Sequence, residues 1–485
     1  MERIVNFAKR ASAIAALCAT IALTSPAQTF TLLSWFEEST DGGSPLAPLI
    51  QATDGHFYGT ASVGGTNGGG TVFKVNTDGK LIPIYSFCAL ASCADGKSPE
   101  GALVQAPNGD FYGTTAAGGA NNAGTVFRLT STGALKTLYS FCPGGTAQGC
   151  PDGLKPVAGL VRATDGDFYG TTFEGGAHFQ GEIFEIGPTG GTPTIIYSFC
   201  GQSGCTDGQQ PLAPLIQAVN GDFYGTTASG GSKGYGTIFV ISSGTLTTVH
   251  NFDKSRGSRP ESALVEAGNG DLYGTTYQGG SLNDGAIFQI TPGDTLTMLY
   301  SFCSAIPVGC PDGEFPQSAL VLGTDGSLYG TTDAAGDPIN EGSGTLFQIT
   351  TGGALTLLYV FCETSPCTDG AGPQGGLMQA TNGIFYGTTS GGGAGGGTFF
   401  SLSMGLGPFV EPQITTGKAG ASVNILGNDL KGATSVTFNG TPAEFSVVSE
   451  SLITATVPAD ATSGTIEVVT SSSTLSSNVP FRVRP

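Results

Sequence analysis

The chain has 485 residues, 79 of them glycine, and only 11% are charged, where about 25% is usual for soluble proteins. Its formal net charge of −19, with no basic stripe to offset it, repels phosphate backbones and excludes nucleic acid as an expected partner. Phe, Tyr, Val, Ile and Leu recur at short spacing, which excludes disorder and leaves a β-rich chain with many tight turns.

Residues 1–27 read as a secretory signal. Arg3, Lys9 and Arg10 precede the apolar run "ASAIAALCATIAL", and Ser25 and Ala27 offer small residues for cleavage before Gln28. The apolar run is short for a membrane span, and Leu17 stands where lipid attachment at Cys18 would want a small residue. The expectation is an exported chain with no transmembrane span after cleavage, located outside the cell, on its surface or in the periplasm.

The next element, "TFTLLSWF" at 29–36, has strand composition but no hairpin partner beside it. A repeat then begins. "FYGT" or "LYGT" recurs with its tyrosine at Tyr58, Tyr112, Tyr169, Tyr224, Tyr273, Tyr329 and Tyr386, and each copy carries four short apolar runs. In the second copy these are "GALVQA", "FYGTT", "TVFRLT" and "LKTLYSF", denoted A to D. Four antiparallel strands repeated seven times predict an all-β, seven-bladed β-propeller. The last copy ends after "GTFFSL" without its D run, so residues 30–36 are expected beside 398–403, closing the ring with an N-terminal strand. The uniform A–B turns ("TDGH", "PNGD", "VNGD") are expected to be two-residue primed turns with both central residues at positive φ. They lack the longer ligand pattern of calcium loops, and no metal or other cofactor is expected.

The unit GLVQA, GDFYGTT, GTVFxLT and LYSFC resembles the GloVer tandem repeat of exported bacterial proteins. The resemblance implies export and a propeller-like array over roughly residues 30–403, but no activity; family members carry C-terminal surface anchors, and none is evident here.

A Gly/Pro linker is expected at 405–412, after a propeller spanning 28–404. The remainder, 413–485, alternates β runs with turns and has Asn439-Gly440 as a hairpin signal. "ILGNDL", "VTFNGTPAEF", "ITATVPA" and "SGTIEVVT" resemble the IPT/TIG family, which implies a small immunoglobulin-like β-sandwich.

Cysteines come in pairs between a D run and the next A run: Cys88/Cys93, Cys142/Cys150, Cys200/Cys205, Cys303/Cys310 and Cys362/Cys367. Their separations vary more than metal chelation or Cys-x-x-Cys redox chemistry tolerates. The junctions after Phe36 and Phe252 lack both cysteines together, so five local disulfides are expected.

The B–C loops are long, differ from blade to blade and share a face with the D–A junctions. They place Glu174, His178, Phe179, Tyr235, Tyr277, Asn283, Asp284, Asp337 and Asn340 as candidate ligand-binding residues. The three histidines, His56, His178 and His250, form no set with a nucleophile, so no catalytic residue is assigned. Lys254, Arg256 and Arg259 break the acidic pattern at one junction, where a carboxylate-bearing ligand or a solvated loop are both open readings. The expected function is an exported, monomeric, non-catalytic binding or display protein for an extracellular glycan or protein. The alternative is a polysaccharide-acting hydrolase or lyase, which would need acids such as Glu174, Asp284 or Asp337 to converge near the axis.

Overall fold

The computed structural model describes residues 28–145, 149–304, 310–336, 343–363 and 365–484. The expected signal at 1–27 lies outside them. Seven four-stranded antiparallel sheets follow one another, six with their strands in chain order. In the first blade strand A is Ile50–Gln51, B is Phe57–Ala61, C is Thr71–Val75 and D is Leu81–Ser86. The seventh sheet is completed by Thr29–Trp35, which pairs antiparallel with Thr398–Ser403, Thr29 opposite Ser403 and Trp35 opposite Thr398. The chain is a seven-bladed propeller closed by its N-terminal strand.

The "FYGT" motif explains how blades pack. Successive residues of a strand face opposite sides, so Phe57 points into the cluster shared with the seventh blade and Tyr58 into that shared with the second. Tyr58 therefore stacks on Phe111, Tyr112 on Phe168, and Tyr386 back on Phe57, with ring centroids 4.2, 4.1 and 4.4 Å apart. Gly59 must be glycine, because a Cβ there would lie 2.6 Å from the Phe73 ring that covers it. Threonines of strand B add clasps between blades: Thr60 and Thr114 donate to the carbonyls of Gly101 and Ala158 in the next blade.

A second set of clasps rings the turn face. The amide oxygen of Gln105 accepts from the Thr53 N–H of the preceding blade, Gln217 from Thr164, Gln379 from Thr324, and Gln51 from Thr381 across the closure. Glu266 does the same for Val219.

The A–B turns differ from expectation. Ala52 N–H bonds the His56 carbonyl, Gly55 N–H bonds the Ala52 carbonyl, and of the three loop residues only Gly55 has positive φ, at 80°. This is a three-residue loop, a tight turn followed by a left-handed glycine, rather than a two-residue primed turn. Asn439-Gly440 does form the two-residue turn, with φ of 46° and 81° between paired Phe438 and Thr441.

The C-terminal sandwich packs two four-stranded sheets around Val423, Ile425, Val436, Phe438, Ile453, Ile466 and Val468. The expected linker gives up its last three residues to it: Val410 is fully buried in this core, and Glu411–Pro412 pairs with Leu426 and Ile425. The sandwich rests on the propeller's turn face. Asn428 donates to the Thr381 hydroxyl at 2.8 Å, Ser451 to the Thr53 carbonyl at 2.8 Å, Gln413 to Gln105 at 3.2 Å, and Arg482 to the Val219 carbonyl. These contacts touch four blades, so the sandwich covers the axis on that side.

Candidate functional site

With the turn face covered, the other face is built by the junctions between blades. Every junction reads Gly-x-y-Pro-z, as in Gly96-Lys97-Ser98-Pro99-Glu100 and Gly257-Ser258-Arg259-Pro260-Glu261. The backbone frame is constant. Residue x bridges to the B–C loop, as Lys97 does to Ala117 and Ser258 to Gln278. Residue y has positive φ in all seven junctions, 56° at Lys155, 53° at Arg259 and 58° at Phe315. Its N–H and C=O are both bonded: Arg259 N–H to the Tyr235 carbonyl at 3.0 Å, Arg259 C=O from Tyr277 N–H at 2.9 Å. Left-handed backbone at non-glycine residues is held only where the surroundings over-determine it. Here two hydrogen bonds per residue do so.

Residue z of all seven junctions lines one mouth on the axis, a cavity of about 180 Å³. Leu46, Val157 and Leu212 are apolar, Glu100, Glu261, Gln317 and Gln374 polar, and all seven residues are partly buried. Beside the polar arc the neighbouring side chains lock together. Arg259 Nη2 lies 2.6 Å from Glu261 Oε1, whose side chain is only 6% exposed. The guanidinium sits 5.2 Å over the Tyr277 ring, and Tyr277 stacks on Phe315 at 5.0 Å. Gln374 Nε2 donates to Asp333 Oδ1 at 2.8 Å. Burial pushes the carboxyls of Glu261, Glu100 and Asp333 above the usual carboxylate range, against the opposing pull of Arg259, Lys155 and the Gln374 hydrogen bond respectively.

Of the residues expected to bind, Tyr277 belongs to this cluster. Glu174 lies at the third junction, held 2.6 Å from Lys155 Nζ. His178, Phe179 and Tyr235 are exposed on the rim, with Phe179 65% accessible. Asn283 and Asp284 are half-buried at another junction, where burial and Asp312 raise the Asp284 carboxyl. Asp284 lies within ligand distance of Cys303 and Cys310, but those sulfurs are joined to each other and offer no thiolate to a metal. Asp337 and Asn340 lie outside the described residues. All three cations at the fifth junction, Lys254, Arg256 and Arg259, are exposed, and of them Arg259 reaches the axial cluster through Glu261 and Tyr277. The z residues, Phe315 and Asp333 were not anticipated. Aligning the junctions on Gly-x-y-Pro-z would have shown the z residues and Phe315 as the variable positions of a fixed frame, whereas Asp333 follows strand B in a B–C loop.

Disulfides join Cys88–Cys93, Cys142–Cys150, Cys200–Cys205, Cys303–Cys310 and Cys362–Cys367, each within one junction of this face. Disulfides belong to oxidising compartments. Among the described residues no helix is long and apolar enough to cross a membrane.

On the opposite side of the axis a cavity of about 410 Å³ lies between the strand A residues Gln51, Gln105 and Gln379 and the sandwich residues Glu411, Gln413 and Asn478. Burial pushes the Glu411 carboxyl up to about 7.

Among solved structures, one assigned as a gluconolactonase matches at a TM-score of 0.39 and 10% identity, covering 79% of this chain and 94% of its own. Another, assigned as a 6-phosphogluconolactonase from Bacteroides uniformis, matches at 0.41 and 14%, covering 70% and 93%. Neither likeness is close enough to carry an argument about activity. No curated protein matches the chain. The IPT/TIG domain model matches residues 410–483. The model of the Gloeobacter/Verrucomicrobia repeat matches residues 19–154 and 146–336, and the chain belongs to that repeat family, with an IPT/TIG domain following its propeller.

Proposed function

We propose that this is an exported, non-catalytic binding protein that takes an extracellular glycan or protein on the junction face of its propeller. In this reading residues 1–27 are the export signal, 28–409 the propeller with its connecting segment, and 410–485 a sandwich that caps the far end of the axis. The observation that carries it is the constant Gly-x-y-Pro-z frame, which presents a different pair of side chains from almost every blade around one mouth. Variation on a rigid repeated scaffold encodes recognition. Exposed Trp35, Val63, Leu90, Phe179, Tyr235 and Leu282 lie on the same face and supply apolar contact area around that mouth.

A second reading, a polysaccharide-acting hydrolase or lyase, draws on one observation: Glu100 and Glu261 line the same mouth. The acids first expected to serve it fare less well, since Glu174 is paired with Lys155 and Asp284 lies beside a disulfide. A glycan array and a secreted-protein array probed with the mature chain, followed by a turnover assay on every hit, separate the readings. Saturable binding without product supports the binding protein. Product formation that disappears in Glu261→Gln and Glu100→Gln overturns it.

A further inference from the structure

Resting on the reading of the junction face as a ligand-binding face, we propose that the axial mouth is a subsite for one neutral sugar ring, the end or branch of a glycan. Size comes first. A cavity of about 180 Å³ falls below the roughly 300 Å³ at which drug-sized pockets begin. It has room for about six waters, the space of a single ring with its hydroxyls. The same seven residues also line a cavity of about 130 Å³ among Ala47, Ala102 and Ala158.

The lining is divided in the way a pyranose is divided. Val157 and Leu212, from adjacent blades, form an apolar arc that suits the C–H face of a sugar. Glu261, Gln317 and Gln374, from three consecutive blades, form a polar arc that offers amide donors and carboxylate and amide acceptors to hydroxyls. The polar arc is held in advance of any ligand. Arg259 fixes Glu261, Asp333 fixes Gln374, and Arg259 also holds Tyr277 against Phe315, so little rotamer freedom remains to be lost.

Charge narrows the ligand class further. Glu100, Glu261 and Asp333 oppose a carboxylated or sulfated sugar. Glu261 is matched by Arg259 and Glu174 by Lys155; Glu100 and Asp333 have no ion-pair partner among the described residues, but they come from different blades and form no coupled carboxylate pair that demands an ammonium. Neutral hydroxyls are what the arrangement accommodates.

Saturation-transfer NMR and calorimetry with glucose, galactose, mannose, N-acetylglucosamine, glucosamine and glucuronate test the inference on the mature chain. At least one neutral sugar is expected to bind in the millimolar range, with glucosamine no tighter and glucuronate at least about tenfold weaker. Leu212→Trp, which fills the mouth, is expected to abolish the signal, and Gln317→Ala to weaken it about tenfold; circular dichroism reports whether each variant folds, and Gln317→Ala stands if Leu212→Trp does not. Tighter binding of the charged sugars overturns the neutral-sugar assignment. If array ligands bind wild type and Leu212→Trp equally, the axial subsite is overturned while the junction-face reading survives. If no array ligand binds wild type at all, that reading fails with it.

Discussion

The Tyr139 hydroxyl donates to Asp152 at 2.7 Å, across the base of the junction that the Cys142–Cys150 bond closes. Asp152 also accepts from the Cys142 N–H at 3.0 Å, so one carboxylate ties the strand end, the first cysteine and the turn together. Tyr85–Asp95, Tyr197–Asp207, Tyr300–Asp312 and Tyr359–Asp369 repeat the tyrosine–carboxylate bond in the other four disulfide-closed junctions. The backbone donor is the first cysteine at Cys303 and Cys362, and the residue after it at Ala89 and Gly201. The two junctions without cysteines lack the tyrosine as well, with Ser34 and His250 at its position. The disulfide and the carboxylate clasp are two devices holding one loop.

They should therefore back each other up. A loop this short gains about 2 kcal/mol from its disulfide in the chain-entropy model, and a hydrogen bond to a carboxylate is worth about 1.5–3 kcal/mol. Cys142→Ser with Cys150→Ser, and Tyr139→Phe separately, are each expected to raise amide exchange modestly at Asp152 and Gly153, whose identities neither variant changes. Combined, they should raise it by more than the product of the separate factors, because the loop then has neither constraint. Purely multiplicative factors would show that the two act independently.

Closure of the ring rests on Thr29–Trp35, and Phe30 is its anchor, stacked on Tyr359 at 3.8 Å with Phe361 edge-on at 5.7 Å. Phe30→Ala is expected to lower stability by about 3 kcal/mol, read as a shift in the chemical-denaturation midpoint. Deleting residues 28–36 removes the partner of Thr398–Ser403 and leaves a bare strand edge. Light scattering after gel filtration should then show oligomers, and a synthetic peptide of residues 28–36 should return the protein to monomer.

The closing strand was legible because the last repeat stops one strand short, a deficit visible at "GTFFSL" that "TFTLLSW" alone could fill. The cysteine pairing was legible for a similar reason: both members of a pair are absent together. Turn type was not, because Asn-Gly or Asp-Gly states which residue tolerates positive φ but not how many residues the loop holds. Ala52 and His56 pair and leave three, whereas Phe438 and Thr441 pair and leave two. The axial mouth was hidden for a different reason. Glu100, Glu261 and Gln374 belong to distant repeats, and only closure of the ring brings them to one cavity. Local pattern reveals each blade but not which of its positions point at the axis.

Glu182 departs from a ladder that four blades share. At the start of strand C those blades place a threonine whose hydroxyl meets one from strand B: Thr115–Thr125, Thr227–Thr237, Thr332–Thr345 and Thr389–Thr398, all at 2.8 Å. Blade three puts fully buried Glu182 opposite Thr172, with Ser198 donating to Oε1 and no partner for Oε2. Burial pushes this carboxyl up to about 7. Because the folded pKa is raised, the folded state holds the proton more tightly; stability is highest below the unfolded pKa of 4.5 and falls as pH rises toward 7. Glu182→Thr should restore the ladder and remove that slope, making the variant more stable than wild type at pH 8 by up to about 3 kcal/mol and nearly equal to it at pH 4. Denaturation midpoints across pH 4–8 measure this, and parallel profiles for the two proteins would refute it.

The joint between propeller and sandwich should respond to pH through Glu411. Glu411 shares the lining of the cavity between them with Gln51, Gln105, Gln379, Gln413 and Asn478, and among the described residues no cation lines it. An ionised carboxylate there loses its hydration without gaining a counter-charge, which is why the pKa rises to about 7. The docked arrangement is accordingly most stable below pH 4.5 and weakens as pH climbs through 7. Limited proteolysis within 404–409 reads the joint, since cleavage there requires the segment to leave the surface. Wild type is expected to be cut faster at pH 8 than at pH 5.5, with a protease whose own pH dependence is measured on an unfolded substrate. Glu411→Gln keeps the shape and removes the charge, so its corrected cleavage should be slow and flat across that range. Asn428→Ala with Ser451→Ala removes the hydrogen bonds to Thr381 and Thr53, so cleavage should be fast at both pH values while the pH ratio set by Glu411 remains. A Glu411→Gln protein that keeps the wild-type pH ratio would place the switch elsewhere in the joint.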